Sequence, residues 1–179
     1  MLKKIFSNGF TLKQKQMNKY LILSLIIFSF LSCNSENKNN SFFIEGGGTL
    51  NDWANLSMYA ESNKELIDNL DENRVVFMGN SITEGWSNFN PDFFINNPFV
   101  NRGISGQTTP QMLIRFKPDV VNLKPNAVVI LAGINDIAGN TGPMKIENIA
   151  ENIFSMSEIA LANNIEVFIC SVLPAKAFP

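Results

Sequence analysis

Residues 74–86 read RVVFMGNSITEGW. An unbroken apolar run, Val75 to Met78, ends at a glycine and passes at once into a polar turn that carries a serine, Ser81. Apolar residues at consecutive positions suit a strand covered on both faces, as in a parallel sheet, whereas a half-exposed strand would alternate. Three further runs share this character: FVNRG (99–103), NAVVILAG (126–133) and IEVFICSVL (165–173). Helical stretches separate them. Ile146, Ile149, Ile153, Met156 and Ala160 recur at three- and four-residue steps and mark one buried helical face. Thr109 and Pro110 read as an N-cap and first helical residue of a helix through QMLIRF, which Pro118 kinks or interrupts. DWANLSMYAESNKEL (52–66) is expected as a helix ahead of the first strand, and no internal repeat is present.

Strands alternating with helices give an α/β fold, a three-layer α/β/α sandwich around a parallel sheet with right-handed crossovers. Ligands of such sheets sit beyond the carboxyl ends of the strands. Three polar clusters fall there: GNSIT after the first strand, GISGQTT after the second and GIND after the third.

With 179 residues the chain holds one ordinary domain, and a formal charge of −2 offers none of the basic surface that nucleic acid demands. Small molecules or proteins remain as partners. Cys33 and Cys170 are the two cysteines; Cys170 lies inside VFICSV and reads as a small buried hydrophobe, with no metal-ligand pattern around it. The sequence contains no histidine, which removes both the commonest general base and the commonest zinc ligand.

Residues 1–33 read as an export segment, in which Lys3, Lys4, Lys13, Lys15 and Lys19 precede the short apolar run LILSLIIFSFLS. This run ends at Cys33, and the polar NSENKNNS follows, in the manner of a bacterial lipoprotein signal whose cysteine is lipidated after cleavage. Phe30 and Leu31 depart from the usual residues there, and an ordinary cleaved signal or uncleaved anchor is the competing reading. Met17 opens a more typical leader, so the first sixteen residues also fit an upstream start. Residues 34–49 read as a flexible linker, polar and glycine-rich, and the folded domain is expected over 50–179.

Singly, each polar cluster is ambiguous. Ser81 alone reads more readily as a helix cap than as a nucleophile, the glycines of RGISGQTT as turn formers and Asn135-Asp136 as a turn pair. Together they supply what acyl transfer from an ester needs, a nucleophilic oxygen and preorganised donors for the oxyanion. FMGNSITEGW, NRGISGQTT and LAGINDIAG, in that order and spacing, resemble the first three signature blocks of the SGNH (GDSL-type) hydrolases, in particular the platelet-activating-factor-acetylhydrolase-like branch, from about Asp52 onward. The resemblance implies the flavodoxin-like fold of that family. It also implies that Ser81 is the nucleophile of a serine esterase or acylhydrolase acting on carboxylic esters through an acyl-enzyme, and that Gly106 and Asn135 complete the oxyanion hole with the Ser81 amide. No metal or cofactor is required.

Two departures stand out. Asn80 occupies the place of the aspartate that commonly precedes the serine, and the family's histidine, with an aspartate three residues before it, is absent. A fragment that stops before its last strand, helix and Asp-x-x-His block accounts for this better than a degenerate relative, because SVLPAKAFP follows a strand with no further helix. The expected partner is a small-molecule or carbohydrate ester, and the expected location is the cell envelope, with a membrane anchor at Cys33. The competing class is a non-catalytic α/β module whose loops cradle an anion or sugar through Ser81, Thr108 and Thr109. Trp86, Phe89, Phe93 and Phe94 are read as core before acyl pocket, Asp136 as orienting the Asn135 loop, and Glu84 as non-catalytic.

Overall fold

The computed structural model describes residues 49–172. The export segment, Cys33 and nearly all of the linker lie outside the described residues. Along the chain run α1 (Ala60–Asp68), β1 (Val75–Gly79), α2 (Ser81–Phe89), α3 (Pro91–Ile95), β2 (Phe99–Gly103), α4 (Thr109–Asp119), β3 (Ala127–Leu131), α5 (Ile134–Ile137), α6 (Ile146–Ala162) and β4 (Glu166–Ile169). The four strands form one sheet of order β2-β1-β3-β4. Every pairing is parallel, with Phe77 aligned on Asn101, Val129 and, through Val129, Phe168. Continuous apolar strands thus fold as their composition requires.

Because successive side chains point to opposite faces, the register sorts the core into two halves. Val76, Met78, Val128 and Ile130 are fully buried and pack with Met112 and Phe116 of α4 and Met156 and Ala160 of α6. On the other face Phe77 meets Trp86, Phe93, Phe94 and Phe99 with ring centroids 5.3–5.6 Å apart, and α2 and α3 form the third layer. That layer covers only part of the sheet among the described residues. Val129 and Leu131 are half-buried and Phe168 is 51% exposed.

Several local expectations are corrected by contacts distant in sequence or by competing caps. The first helix begins at Ala60, not Asp52, because the Asp52 carboxylate accepts hydrogen bonds from Leu56 N at 2.7 Å and Ser57 N at 2.9 Å, and Asn55 takes a positive φ of 54°. That closes a turn in place of a helix. In α4 the N-cap is Thr108, one residue before the expected Thr109, since Thr108 and Gln111 form a reciprocal capping box. Pro118 lies in the last turn of α4, which ends one residue later. Ile146 is 73% exposed at the first residue of α6, where no element covers it among the described residues, while Ile149, Met156 and Ala160 are buried as expected. Cys170 is exposed rather than buried, because β4 is the edge strand of the described sheet.

Candidate active site

The chain leaves β1 toward β2 on one side, and β3 lies on the other side of β1, so the loops after β1 and β3 part at a topological switch point. Crevices of α/β sheets open there. Ser81 stands at this point as the first residue of α2, with its side chain exposed. It is not the helix cap. Asn80 is, its Oδ1 accepting from Ile82 N at 3.1 Å, and among the described residues the Ser81 hydroxyl has no hydrogen-bond partner. Asn80 is fully buried, and its Nδ2 finds no partner among the described residues.

Gly106 follows β2 in a loop where its φ of 77° falls in the left-handed region, which glycine enters without a Cβ clash. Asn140 Nδ2 donates to the Gly106 carbonyl at 3.0 Å, so that carbonyl is turned toward the third loop. Asn135, in α5 just past β3, donates from Nδ2 to the Gln107 carbonyl at 2.9 Å. A primary amide has two N–H donors, and this bond fixes its plane while leaving a second N–H for another acceptor. The second and third sequence clusters are therefore in direct contact.

Asp136 performs the orienting role expected of it, though through the second loop. Its buried carboxylate accepts from Thr109 N at 2.9 and 3.0 Å and from Thr109 Oγ1 at 2.6 Å. Asn152 of α6 donates to Thr109 Oγ1 at 3.0 Å, and Thr108 and Thr141 hydroxyls lie 3.0 Å apart. Thr108 and Thr109 are thus buried and engaged within the fold.

Beneath these loops is a buried polar hub that the sequence reading did not single out. Arg115 of α4 donates from Nη1 to Asp119 Oδ2 at 2.9 Å and from Nη2 to the Gly79 carbonyl at 3.1 Å and the Arg102 carbonyl at 2.9 Å. Its Nε donates to Gln107 Oε1. One guanidinium therefore ties the carboxyl ends of β1 and β2 to the Gly106 loop. Burial pushes this group below its ordinary pKa, and Asp119 opposes that shift. Arg102 is pushed down to about 10, again by burial first; it donates to Asn63 Oδ1 and lies 4.5 Å from the centre of the Tyr59 ring. The available sequence signal was a charged pair four residues apart, Arg115 and Asp119, on a helix whose Met112 and Phe116 are apolar.

Among the described residues, cavities open on either side of Ile82, and one of them reaches Ser81. One of about 480 Å³ is lined by Ser81, Ile82, Trp86 and Phe89. A smaller apolar one of about 80 Å³ is lined by Asn80, Ile82, Leu131, Ala132, Ile134 and Val172. The aromatic set is accordingly divided. Phe93 and Phe94 pack into the Phe77 cluster as core, Trp86 both stacks on Phe93 and faces the larger cavity, and Phe89 is 91% exposed.

Residues 77–179 match the family model of the GDSL-like lipase/acylhydrolase family. The chain belongs to that family. A candidate acylhydrolase from Bacteroides fragilis NCTC 9343 is 56% identical, with 71% of this chain and 62% of that one covered and a TM-score of 0.68. A GDSL-like lipase from Bacteroides thetaiotaomicron VPI-5482 is 51% identical, with coverage of 70% and 62% and a TM-score of 0.66. This GDSL-like chain thus spans 62% of the length of each of these two relatives. A Streptococcus pneumonia structure assigned as a platelet activating factor shares the fold at 19% identity and a TM-score of 0.54, covering 88% of this chain and 63% of that one. No curated protein matches. The three polar clusters of the sequence are the loops gathered at the carboxyl edge of β2, β1 and β3.

Proposed function

We propose that this GDSL-like chain is the N-terminal part of a serine ester hydrolase, in which Ser81 is the nucleophile and the Ser81 amide, the Gly106 amide and the Asn135 side chain form the oxyanion hole. The observation that supports this most is the placement at the switch point of an exposed Ser81 hydroxyl, unpartnered among the described residues, beside a loop that Asn135 holds through the Gln107 carbonyl. Ser81 Oγ attacks the ester carbonyl carbon, and the carbonyl oxygen takes the negative charge into the three N–H donors. The hydroxyl proton passes to a base and then to the leaving alcohol; water repeats the sequence to release the acid. The 179 residues hold no histidine, so in this reading the base is a histidine outside them, steadied by its own aspartate.

Short acyl groups, acetyl among them, suit the small apolar cavity of about 80 Å³ beside Asn80 and Ile82. The protein is exported and held at the membrane by lipid on Cys33, where two acyl chains anchor firmly and one would not. Mass spectrometry of the membrane fraction tests that part, and a mature N-terminus elsewhere with unmodified Cys33 refutes it.

The decisive experiment for the chemistry is labelling by a fluorophosphonate together with p-nitrophenyl acetate turnover, in the protein extended through its natural C-terminal continuation. Labelling at Ser81 and turnover lost in Ser81→Ala are expected. Turnover that survives Ser81→Ala sinks the assignment, and absence of both signals favours a binding module.

A further inference from the structure

We propose that Glu84 is a positioning residue, latching the Ser105–Gly106 loop onto the first turn of α2 so that the Gly106 N–H is held in a fixed place relative to Ser81 Oγ. This rests on the hydrolase reading above. Glu84 follows Ser81 by three residues on the same helix, so both side chains lie on neighbouring positions of one face. Its Oε2 accepts from Ser105 N at 2.7 Å and from Ser105 Oγ. Ser105 is the residue whose carbonyl carbon bears the Gly106 N–H.

The other side of that glycine is held by different elements. Asn140 and Asn135, from the third loop, bind the carbonyls of Gly106 and Gln107. Those bonds set the loop against β3 and α5, and say nothing about its distance from α2. Asn101 binds the Thr83 carbonyl and the Ser87 hydroxyl, and its Oδ1 accepts from Gly103 N at 2.8 Å, which secures the end of β2 two residues short of Ser105. Glu84 supplies the side-chain link between the nucleophile's own helix and residue 105. The contact is exposed, and exposed polar contacts contribute little to global stability. Its consequence is therefore placement: an oxyanion donor acts only when aimed at the position of the developing charge, and a misplacement of about 1 Å can cost about 10²-fold in rate.

The test uses the full-length protein carrying its C-terminal continuation, with p-nitrophenyl acetate as substrate and amide exchange at Ser105 and Gly106 read by NMR. Glu84→Ala is expected to lower kcat by about 10- to 100-fold. KM stays within a few-fold and the thermal midpoint is unchanged. Exchange at the two amides accelerates. Glu84→Gln recovers most of the turnover, because its amide oxygen accepts the same two bonds. The double variant Glu84→Ala/Ser105→Ala is no slower than Glu84→Ala alone, as residues acting through one contact are not additive. Parent-like turnover or unchanged amide exchange in Glu84→Ala overturns the latch, as do losses that multiply in the double variant. Parent turnover that persists in Ser81→Ala instead overturns the hydrolase reading, so the two failures are separable.

Discussion

Replacing Arg115 by Met tests whether the hub under the candidate site is a structural keystone. Methionine keeps an unbranched apolar stem in place and so leaves little cavity, while the guanidinium and all its donors are lost. The Arg115–Asp119 ion pair, at 2.9 Å, has side chains that are 0% and 1% exposed. Removing one partner of such a pair costs about 3–5 kcal/mol, because the other charge stays buried. Two features place the loss in the lower half of that range. Asn63 Nδ2 still donates to Asp119 Oδ1 at 2.7 Å, and the Gly79 carbonyl still accepts from Ile104 N at 3.1 Å. A loss of about 3–4 kcal/mol is expected. Urea unfolding followed by circular dichroism measures it; with a slope of about 1–3 kcal/mol per molar, the midpoint falls by at least about 1 M. Arg115→Met/Asp119→Asn removes the stranded charge and is expected to be more stable than Arg115→Met alone. A single variant within about 1 kcal/mol of the parent refutes the reasoning, since that is the size of an ordinary surface effect. A double variant as unstable as the sum of the singles refutes it too.

If Asn135 is an oxyanion donor as proposed, Asn135→Ala in the full-length protein lowers kcat by about 10²- to 10³-fold with little change in KM; steady-state turnover within a few-fold of the parent removes Asn135 from the oxyanion hole. Gly103→Ala is expected to destabilise by about 1–3 kcal/mol or more, because its Cβ would lie 2.1 Å from the Glu84 backbone nitrogen; an unchanged urea midpoint contradicts the close packing of α2 on β2. Residues 34–179 expressed alone are expected to lack ester turnover, as donors without a base leave only about 10³- to 10⁴-fold over water. The same chain is expected to bind a hydrophobic dye on the face bearing Val129, Leu131 and half-exposed Phe168; turnover equal to that of the extended protein defeats the first expectation, and absence of dye binding the second.

Order and type of the main elements were legible in the sequence because their causes are local. Continuous apolar runs specify strands covered on both faces, and a three- to four-residue rhythm specifies the face of α6. Ser81, Gly106 and Asn135 lie in the segments that follow β1, β2 and β3, and a parallel sheet carries all such segments to one edge, but it was their joint order, through a resemblance, that singled them out. Sequence also showed that these 179 residues contain no histidine.

Which polar residue does what was decided only in three dimensions. Asn80 takes the cap, which leaves Ser81 without a partner among the described residues, and the first helix starts late because the Asp52 carboxylate accepts from the amides of residues 56 and 57 before a helix can form. Ile146 and Cys170 belong to apolar patterns, yet they are exposed because no neighbouring element reaches them among the described residues. Glu84 meets Ser105 across 21 residues, and Arg115 meets the Gly79 carbonyl across 36. Neither pairing leaves a periodic trace in the chain. Strand register and helix docking bring those groups together, and for Arg115 burial then makes the bonds obligatory, since a polar group shut away from water needs its partner within the fold.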